Sequence, residues 1–363
     1  MIYLINYTES ITESRGFRNE KYSEILGDTL LISGSWSHTH KNRITSTSKK
    51  ELLLNNWSYK KNIGIKRILS SWHFAYLLRK KILEDNIDIE GCIISSINLE
   101  ALILLPKSKI NKIVIDVRDI WPDAHPLSVK SFPFYIYAKF LNSFIKKYSS
   151  NYLYVSPSFQ KWVKKNCTME NATYLPLCYD PLRWGKPILK ESIQSEGKIK
   201  MGYIGNLNSQ FSLDELLPLI EKTNVLLEVV GGGEKLDNLK MIIVKKGLVN
   251  KVVFHGYLDR EKSTLIVKSW DLGIVPQTKE SKADLPNKFF DYLGAGIPIL
   301  AFDDTWLGSY VKLNKIGFSI SRNESLCDFK TDFKFVKQNV LNHRENYSAD
   351  SRYKKVLDEI FEK

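Results

Sequence analysis

Lys288 and Asp291 stand three residues apart, and that spacing puts both side chains on one face of a helix. A lysine so placed neutralises a departing diphosphate, and a carboxylate beside it accepts hydrogen bonds from ribose hydroxyls. The same spacing also makes an ordinary surface ion pair. What favours the first use is the frame, with Pro286 and Asn287 in front and Tyr292 and a Gly-Ala-Gly-Ile-Pro turn behind. A second group is the run VIDVRDIWPD, residues 114–123, where an apolar strand ends in Asp116, Arg118, Asp119 and Trp121. Asp119 can orient a sugar hydroxyl or take its proton, or equally pair with an arginine to hold the loop. Asp116, deeper in the strand, better fits an Asp–Arg pair that holds the loop. Glycines form the third group: Gly205 with Asn206 after one apolar run, and a triplet centred on Gly232 after another. Glycine between a strand and a helix lets backbone amides approach phosphate, and a helix N-terminus favours anions. It also serves simply to turn the chain. His38 and His40 have no third partner for a metal, and the chain has no Asp-x-Asp triplet, so no metal site is expected.

These residues are positioned by short apolar runs that alternate with helix-length segments. Strand-like runs fall at 2–5, 29–33, 91–95, 112–116, 152–155, 198–204, 225–230, 251–255, 272–275 and 298–302. Helical patterns cover 63–83, 98–105, 131–148, 288–293 and 349–361, with further helices ending near 222 and 246. Strands separated by helices imply parallel sheets with right-handed crossovers. The polar, proline-bearing stretch 175–198 reads as a linker, and Ser212 with Glu215 offers a capping box for the helix that follows. At 363 residues the chain exceeds what one core usually holds. The expected architecture is α/β, with two Rossmann-like parallel-sheet domains facing each other across a cleft. They are residues 1–180 and 181–345, with a helix at 346–363 packing back on the first. In open α/β sheets ligands bind at the carboxyl ends of the strands, where Asp119, Gly205 and Gly232 fall.

Hydrophobic residues make up 43% and charged residues 26%, which argues against a chain disordered throughout. The formal charge of +13 is uneven. Residues 41–81 hold eleven basic side chains and one acid, Glu51, and residues 124–169 hold seven basic and no acid. Such a field attracts anionic surfaces. Cys92, Cys167, Cys178 and Cys327 form no CxxC pair and read as free thiols of a reducing compartment. No run approaches the roughly 20 apolar residues that span a bilayer, and the first residues lack the pattern of a secretory leader. The expectation is a cytoplasmic protein, peripheral at the inner face of the cell membrane.

PNKFFDYLGAGIPIL (286–300) resembles the donor-site signature of glycosyltransferase family 4, in which a helix before a Gly-x-Pro turn carries a ribose-binding acid. VIDVRDIWPD resembles the Asp-x-Arg-Asp-x-Trp-Pro segment of that family. MGYIGNLNSQFSLDELL (201–217) resembles its phosphate-side loop. VVGGGEKLDNL, VVFHGYLDREK and DLGIVP keep the family order over residues 229–276. The resemblance implies a GT-B fold and a retaining, metal-independent transfer from a nucleoside-diphosphate sugar, with no other cofactor.

Carried over by residue, Asp291 takes the place of the second Glu of the family's Glu-x7-Glu pattern. The first falls at Ala283, with Asp284 beside it. The Arg and Lys that clamp the diphosphate fall at Asn206 and Phe211, neither of them basic, which leaves Lys288 as the replacement. The expected donor contacts are therefore Gly205, Asn206, Gly232, Pro286, Asn287, Lys288, Asp291 and Tyr292. Lys288 and Asp119 are the expected catalytic residues, with Arg118, Asp119 and Trp121 on the acceptor side.

The expected partners are a nucleotide sugar, a lipid-linked or polymeric saccharide acceptor and an anionic membrane surface. Helical segments 63–83 and 131–148, rich in aromatics and lysine, suit that surface, although the apolar stripe of 63–83 equally suits packing on the first domain's sheet; nucleic acid is not expected. The expected activity is a hexosyltransferase of surface-polysaccharide assembly (capsule, O-antigen or exopolysaccharide). A sugar-nucleotide epimerase and an inactive binding scaffold of the same fold are the alternatives.

Overall fold

The computed structural model describes residues 1–8, 10, 17–38, 40–46, 48–61, 64–95, 98–120, 132–188, 198–281, 283–324, 327, 329 and 332–361. The chain divides into two compact units, Met1–Pro176 with Asp350–Lys363, and Leu177–Ala349.

The first unit runs β1 (Ile2–Asn6), α1 (Phe17–Leu26), β2 (Thr29–Gly34), β3 (Glu51–Leu54), α2 (Ile65–Asp85), β4 (Gly91–Ser95), α3 (Leu99–Leu104), β5 (Ile113–Val117), α4 (Phe132–Asn142), α5 (Ile145–Tyr148), β6 (Asn151–Tyr154), α6 (Gln160–Asn166) and β7 (Ala172–Tyr174). Its seven strands are parallel, in the order β3-β2-β1-β4-β5-β6-β7. β1, β4 and β5 are buried at every residue. That is why they read as unbroken apolar runs rather than alternating ones.

The second unit runs α7 (Pro181–Trp184), β8 (Ile199–Asn206), α8 (Leu217–Lys222), β9 (Val225–Gly232), α9 (Leu236–Lys245), β10 (Val252–Gly256), α10 (Arg260–Ser269), β11 (Leu272–Val275), α11 (Asn287–Ala295), β12 (Ile299–Phe302), α12 (Trp306–Asn314), β13 (Gly317–Ile320) and α13 (Phe333–Arg344). Its sheet is parallel in the order β10-β9-β8-β11-β12-β13. The order reverses between β8 and β11, and the crevice at such a switch point is where doubly wound sheets take ligands. The last helix, α14 (Ala349–Phe361), lies from residue 350 onward in the first unit.

Three local expectations are corrected. Residues 131–148 do not form one helix. The Ser143 hydroxyl and amide both bond to the Phe140 carbonyl, and the chain breaks there between α4 and α5. The 175–198 stretch, within which the two units divide, is structured near its start: Asp180 accepts from the Leu182 amide at 3.0 Å, Pro181 opens α7, and Trp184 is fully buried. Nor does Glu215 close a capping box. Ser212 accepts from the Asp214 amide at 3.4 Å, while Glu215 pairs with Arg322, whose guanidinium also lies over the Phe302 ring.

One buried charge cluster organises the first unit. Arg18 of α1 donates to both oxygens of Asp116 at 2.9 and 3.0 Å, to the carbonyls of Leu175 and Pro176, and to the Tyr353 hydroxyl of α14. Arg118 adds a bond to Asp116 at 2.7 Å and another to Asn19. Burial by itself would raise the Asp116 carboxyl. The two guanidinium groups outweigh it and hold the acid below the usual carboxylate range. Arg18→Ala is expected to cost about 3–5 kcal/mol by leaving that carboxylate under-paired. Arg18→Lys should recover only part of this, since an ammonium lacks the two-pronged geometry. Urea midpoints of the two variants check both statements.

Candidate functional site

β8 and β9 end side by side, with Gly205 opposite Gly231 and Asn206 opposite Gly232. The backbone at Gly205 and Gly231 takes φ of 129° and 114°, and a Cβ on Gly231 would lie 2.2 Å from the Gly205 carbonyl oxygen. Only glycine meets both demands. Gly232 lies beneath the ring of Tyr257, which a Cβ would approach to 2.9 Å. The triplet's glycines are thus accounted for by strand packing, and they leave exposed Asn206 standing at the strand end.

α11 begins at Pro286, which occupies the cap position and offers no side-chain oxygen to the first amides. The helix therefore opens with uncapped N–H groups, the usual setting for a bound anion. Asn287 is exposed, and Lys288 is 8% exposed. The Lys288 ammonium lies 3.2 Å from the centroid of the Phe211 ring and 5.3 Å from that of Tyr203. Its Cε would be 3.5 Å from a Cβ at Gly205. It makes no hydrogen bond or ion pair among the described residues. Burial pulls its pKa down to about 7, against a weaker opposing pull from Asp291. Phe211, where the resembling family carries a cation, is here the ring on which the cation of a different element rests.

Asp291, on the same helix face, bonds to Arg183 of α7 at 3.1 Å and keeps a quarter of its side chain exposed. Arg183 is itself fixed by Thr264 at 3.0 Å and Ser263 at 3.3 Å, and stacks on Trp184. Partial burial raises the Asp291 carboxyl above its ordinary range, with Arg183, Lys288 and Arg260 pulling the other way. Sequence reasoning missed Arg183 because it lies in the stretch read as linker.

Tyr292, expected as a donor contact, is fully buried. Its hydroxyl donates to the Ile274 carbonyl at 2.9 Å and accepts from the Ile204 amide at 3.2 Å. It fastens α11 across β8 and β11 and has no free polar atom to offer a ligand. The structure thus brings Gly205, Pro286, Lys288 and Asp291 together around the start of α11, and sets Tyr292 behind them.

Asp119 and Arg118 follow the carboxyl end of β5 in the first unit, both half-buried. Arg118 is committed to Asp116 and Asn19. Trp121 lies outside the described residues. His38 bonds through Nδ1 to the Tyr59 hydroxyl at 2.8 Å, and Cys92, Cys167, Cys178 and Cys327 form no disulfide with one another.

Residues 186–352 match the family described as Glycosyl transferases group 1, a segment that falls almost wholly in the second unit. Chitobiosyldiphosphodolichol beta-mannosyltransferase of Dictyostelium discoideum is 30% identical over 113 residues, 31% of this chain. That stretch spans only 22% of the relative's own length. Among solved structures, WaaG, a glycosyltransferase involved in lipopolysaccharide biosynthesis, superposes with a TM-score of 0.70 at 14% identity, over 99% of each chain. Anabaena HepE in complex with UDP gives 0.63 at 13%, over 99% of this chain and 96% of that one. At these identities the likeness is one of fold, and it makes the two parallel-sheet units Rossmann-like domains of the GT-B kind.

The lysine's depressed pKa has a thermodynamic sign. Between about pH 7 and the unfolded value near 10.5 the unfolded chain binds more protons, so stability rises with pH across that window. Below pH 7 the whole penalty is present. Lys288→Met is accordingly expected to stabilise the protein by on the order of 4 kcal/mol at pH 6, and by progressively less toward pH 10. Thermal melts of both proteins across that range measure it.

Proposed function

We propose that the chain is a glycosyltransferase that moves a sugar from a nucleoside diphosphate to a saccharide acceptor. The observation that carries this reading is Lys288, a buried ammonium without a carboxylate bonded to it, placed at the uncapped start of α11 beside Gly205. An unpaired buried charge lowers stability, so its retention points to a use. The donor's diphosphate supplies the missing anion. As the glycosyl–phosphate bond breaks, its electron pair stays on the phosphate oxygen, where Lys288 and the helix amides stabilise the growing charge. Asp291, steadied by Arg183, accepts hydrogen bonds from the ribose. Asp119 is assigned to the acceptor hydroxyl, and its carboxylate takes the hydroxyl proton as the new bond to the sugar carbon forms.

The finer reading is a retaining, metal-independent enzyme of family 4 acting on a polyprenyl-diphosphate-linked saccharide during surface-polysaccharide assembly, at the inner face of the membrane. The motifs at 114–123 and 286–300 support it, and the diphosphodolichol in the name of the Dictyostelium relative supports its lipid-linked acceptor.

UDP, GDP, ADP and dTDP are to be titrated against thermal stability. The matching nucleotide at a hundredfold excess over its Kd is expected to add about 2.7 kcal/mol, a rise of about 5 °C. No response to any of the four would leave only a scaffold of this fold. Lys288→Met and Asp291→Ala should each weaken that shift by about tenfold or more in Kd. Asp119→Asn should keep nucleotide binding and lower the transfer rate about a hundredfold; equal loss of both would give Asp119 a folding role instead.

A further inference from the structure

Trp57 stands just past β3, at the edge of the first sheet where all its parallel strands end and where such sheets take ligands. The loop that carries it is fixed from below. Fully buried Asn56 accepts from the Trp36 amide at 3.2 Å and donates to the Ser70 hydroxyl of α2 at 2.9 Å. Ser70, also fully buried, donates in turn to the Trp57 carbonyl. The indole stacks on the His73 ring of α2, with centroids 4.5 Å and planes 18° apart. Burial first, and then the Arg43 guanidinium, push the His73 pKa below its ordinary value, so two neutral rings stack at pH 7. His73 covers one face of the indole, yet the side chain is 53% exposed. Its other face is open to solvent.

A single exposed tryptophan is ordinary in itself. This one differs in that buried polar groups hold its backbone, so little ordering entropy remains to be lost on binding. It also has polar company. Asn55 beside it is exposed, and so is Arg43, which bonds to the Ser35 hydroxyl at 2.6 Å, lies over the Trp36 ring and pairs with no carboxylate among the described residues. An open aromatic face bordered by hydrogen-bonding side chains matches a sugar ring. The C–H groups on one face of a pyranose are slightly positive and stack on the negative face of the indole, while the hydroxyls at its rim meet the polar groups.

Position decides which sugar this is. The strand order β3-β2-β1-β4-β5 puts four inter-strand steps between β3 and β5, a span of about 19 Å. Asp119 follows β5, so a single sugar held there does not reach Trp57, whereas a chain of several sugars does.

We propose that the Trp57–His73 stack is a distal saccharide subsite, binding a sugar of the acceptor several units back from the one that is glycosylated. The inference rests on the glycosyltransferase reading and deepens it: the acceptor is an oligosaccharide chain, gripped at two separate points of the first unit.

The test applies the full chain to a microarray of immobilised neutral and uronic-acid-containing saccharides, from mono- to hexasaccharides. The wild type is expected to bind at least one series, the longer members at least about tenfold more tightly than the single sugars. Trp57→Ala should weaken that binding about tenfold, and Trp57→Phe, which keeps a stacking ring, should restore most of it. Because the indole is exposed, an unchanged melting temperature shows that both variants are folded. No saccharide bound by the wild type, equal binding of single sugars and long chains, or a Trp57→Ala variant that binds like wild type would overturn the proposal. Acidic saccharides held equally by wild type and Trp57→Ala, and released at about 0.5 M salt, would overturn it too, as attraction to the basic surface alone. Absence of any nucleotide-induced thermal shift, with long saccharides still bound through Trp57, would sink the donor-site reading alone.

Discussion

A positive charge without a bonded counter-charge, held in a largely apolar pocket, is the condition that the rest of the second unit is arranged to tolerate. The Lys288 ammonium sits on the Phe211 ring instead of in water, near a strand end whose glycine leaves room for its stem. Quadrupole attraction from an aromatic face is worth far less than the hydration it replaces. The placement persists because α11 cannot easily move. Its Tyr292 hydroxyl is bonded to backbone atoms of both β8 and β11, and Phe289 and Phe290 are buried in the core behind it. The helix holds its lysine in an unfavourable place in advance of any ligand, so that little reorganisation is left for the moment when charge develops.

The first unit handles buried charge in the opposite way. Arg18 and Asp116 are almost wholly removed from solvent, but every donor and acceptor of the pair is matched by a carboxylate, a guanidinium, a carbonyl or a hydroxyl. Such a cluster adds little net stability over an apolar substitute, yet it fixes which helix meets which strand. Within one chain, a saturated ionic cluster and an isolated ammonium thus serve different ends. Saturation specifies the fold, and isolation keeps a binding group available.

Much of this was legible beforehand where periodicity is strong. The run at 91–95 and the amphipathic stretch 349–361 coincide with β4 and α14, because burial on two faces or on one leaves a plain apolar pattern. α1 was invisible for the converse reason: it buries Arg18, Asn19, Lys21 and Ser23, so no apolar stripe marks it. β3, β7 and β13 are short, and β3 and β7 form the edges of their sheet, where little burial shapes the residues. At the site, the pairing of Lys288 with a ribose-side acid could be read from spacing. The ring beneath the lysine and the arginine behind the acid could not, since Phe211 and Arg183 lie 77 and 108 residues from their partners. Tyr292 stood in the right motif and proved to be a fastener. A one-dimensional pattern does not say which side of a short helix faces the sheet.

The course of α14 has a consequence for how the protein comes into being. Arg18 needs the Tyr353 hydroxyl, Lys21 pairs with Asp350, and Lys112 donates to the Ile360 carbonyl. The strands of the first sheet leave the ribosome ahead of the second unit, yet the helix that completes their unit is made only after it. The amino-terminal half must wait, partly unsealed, while the entire second unit is made. Its assembly waits for residues 350–361, and a chain cut short before Asp350 leaves the first unit with its buried arginine unfinished.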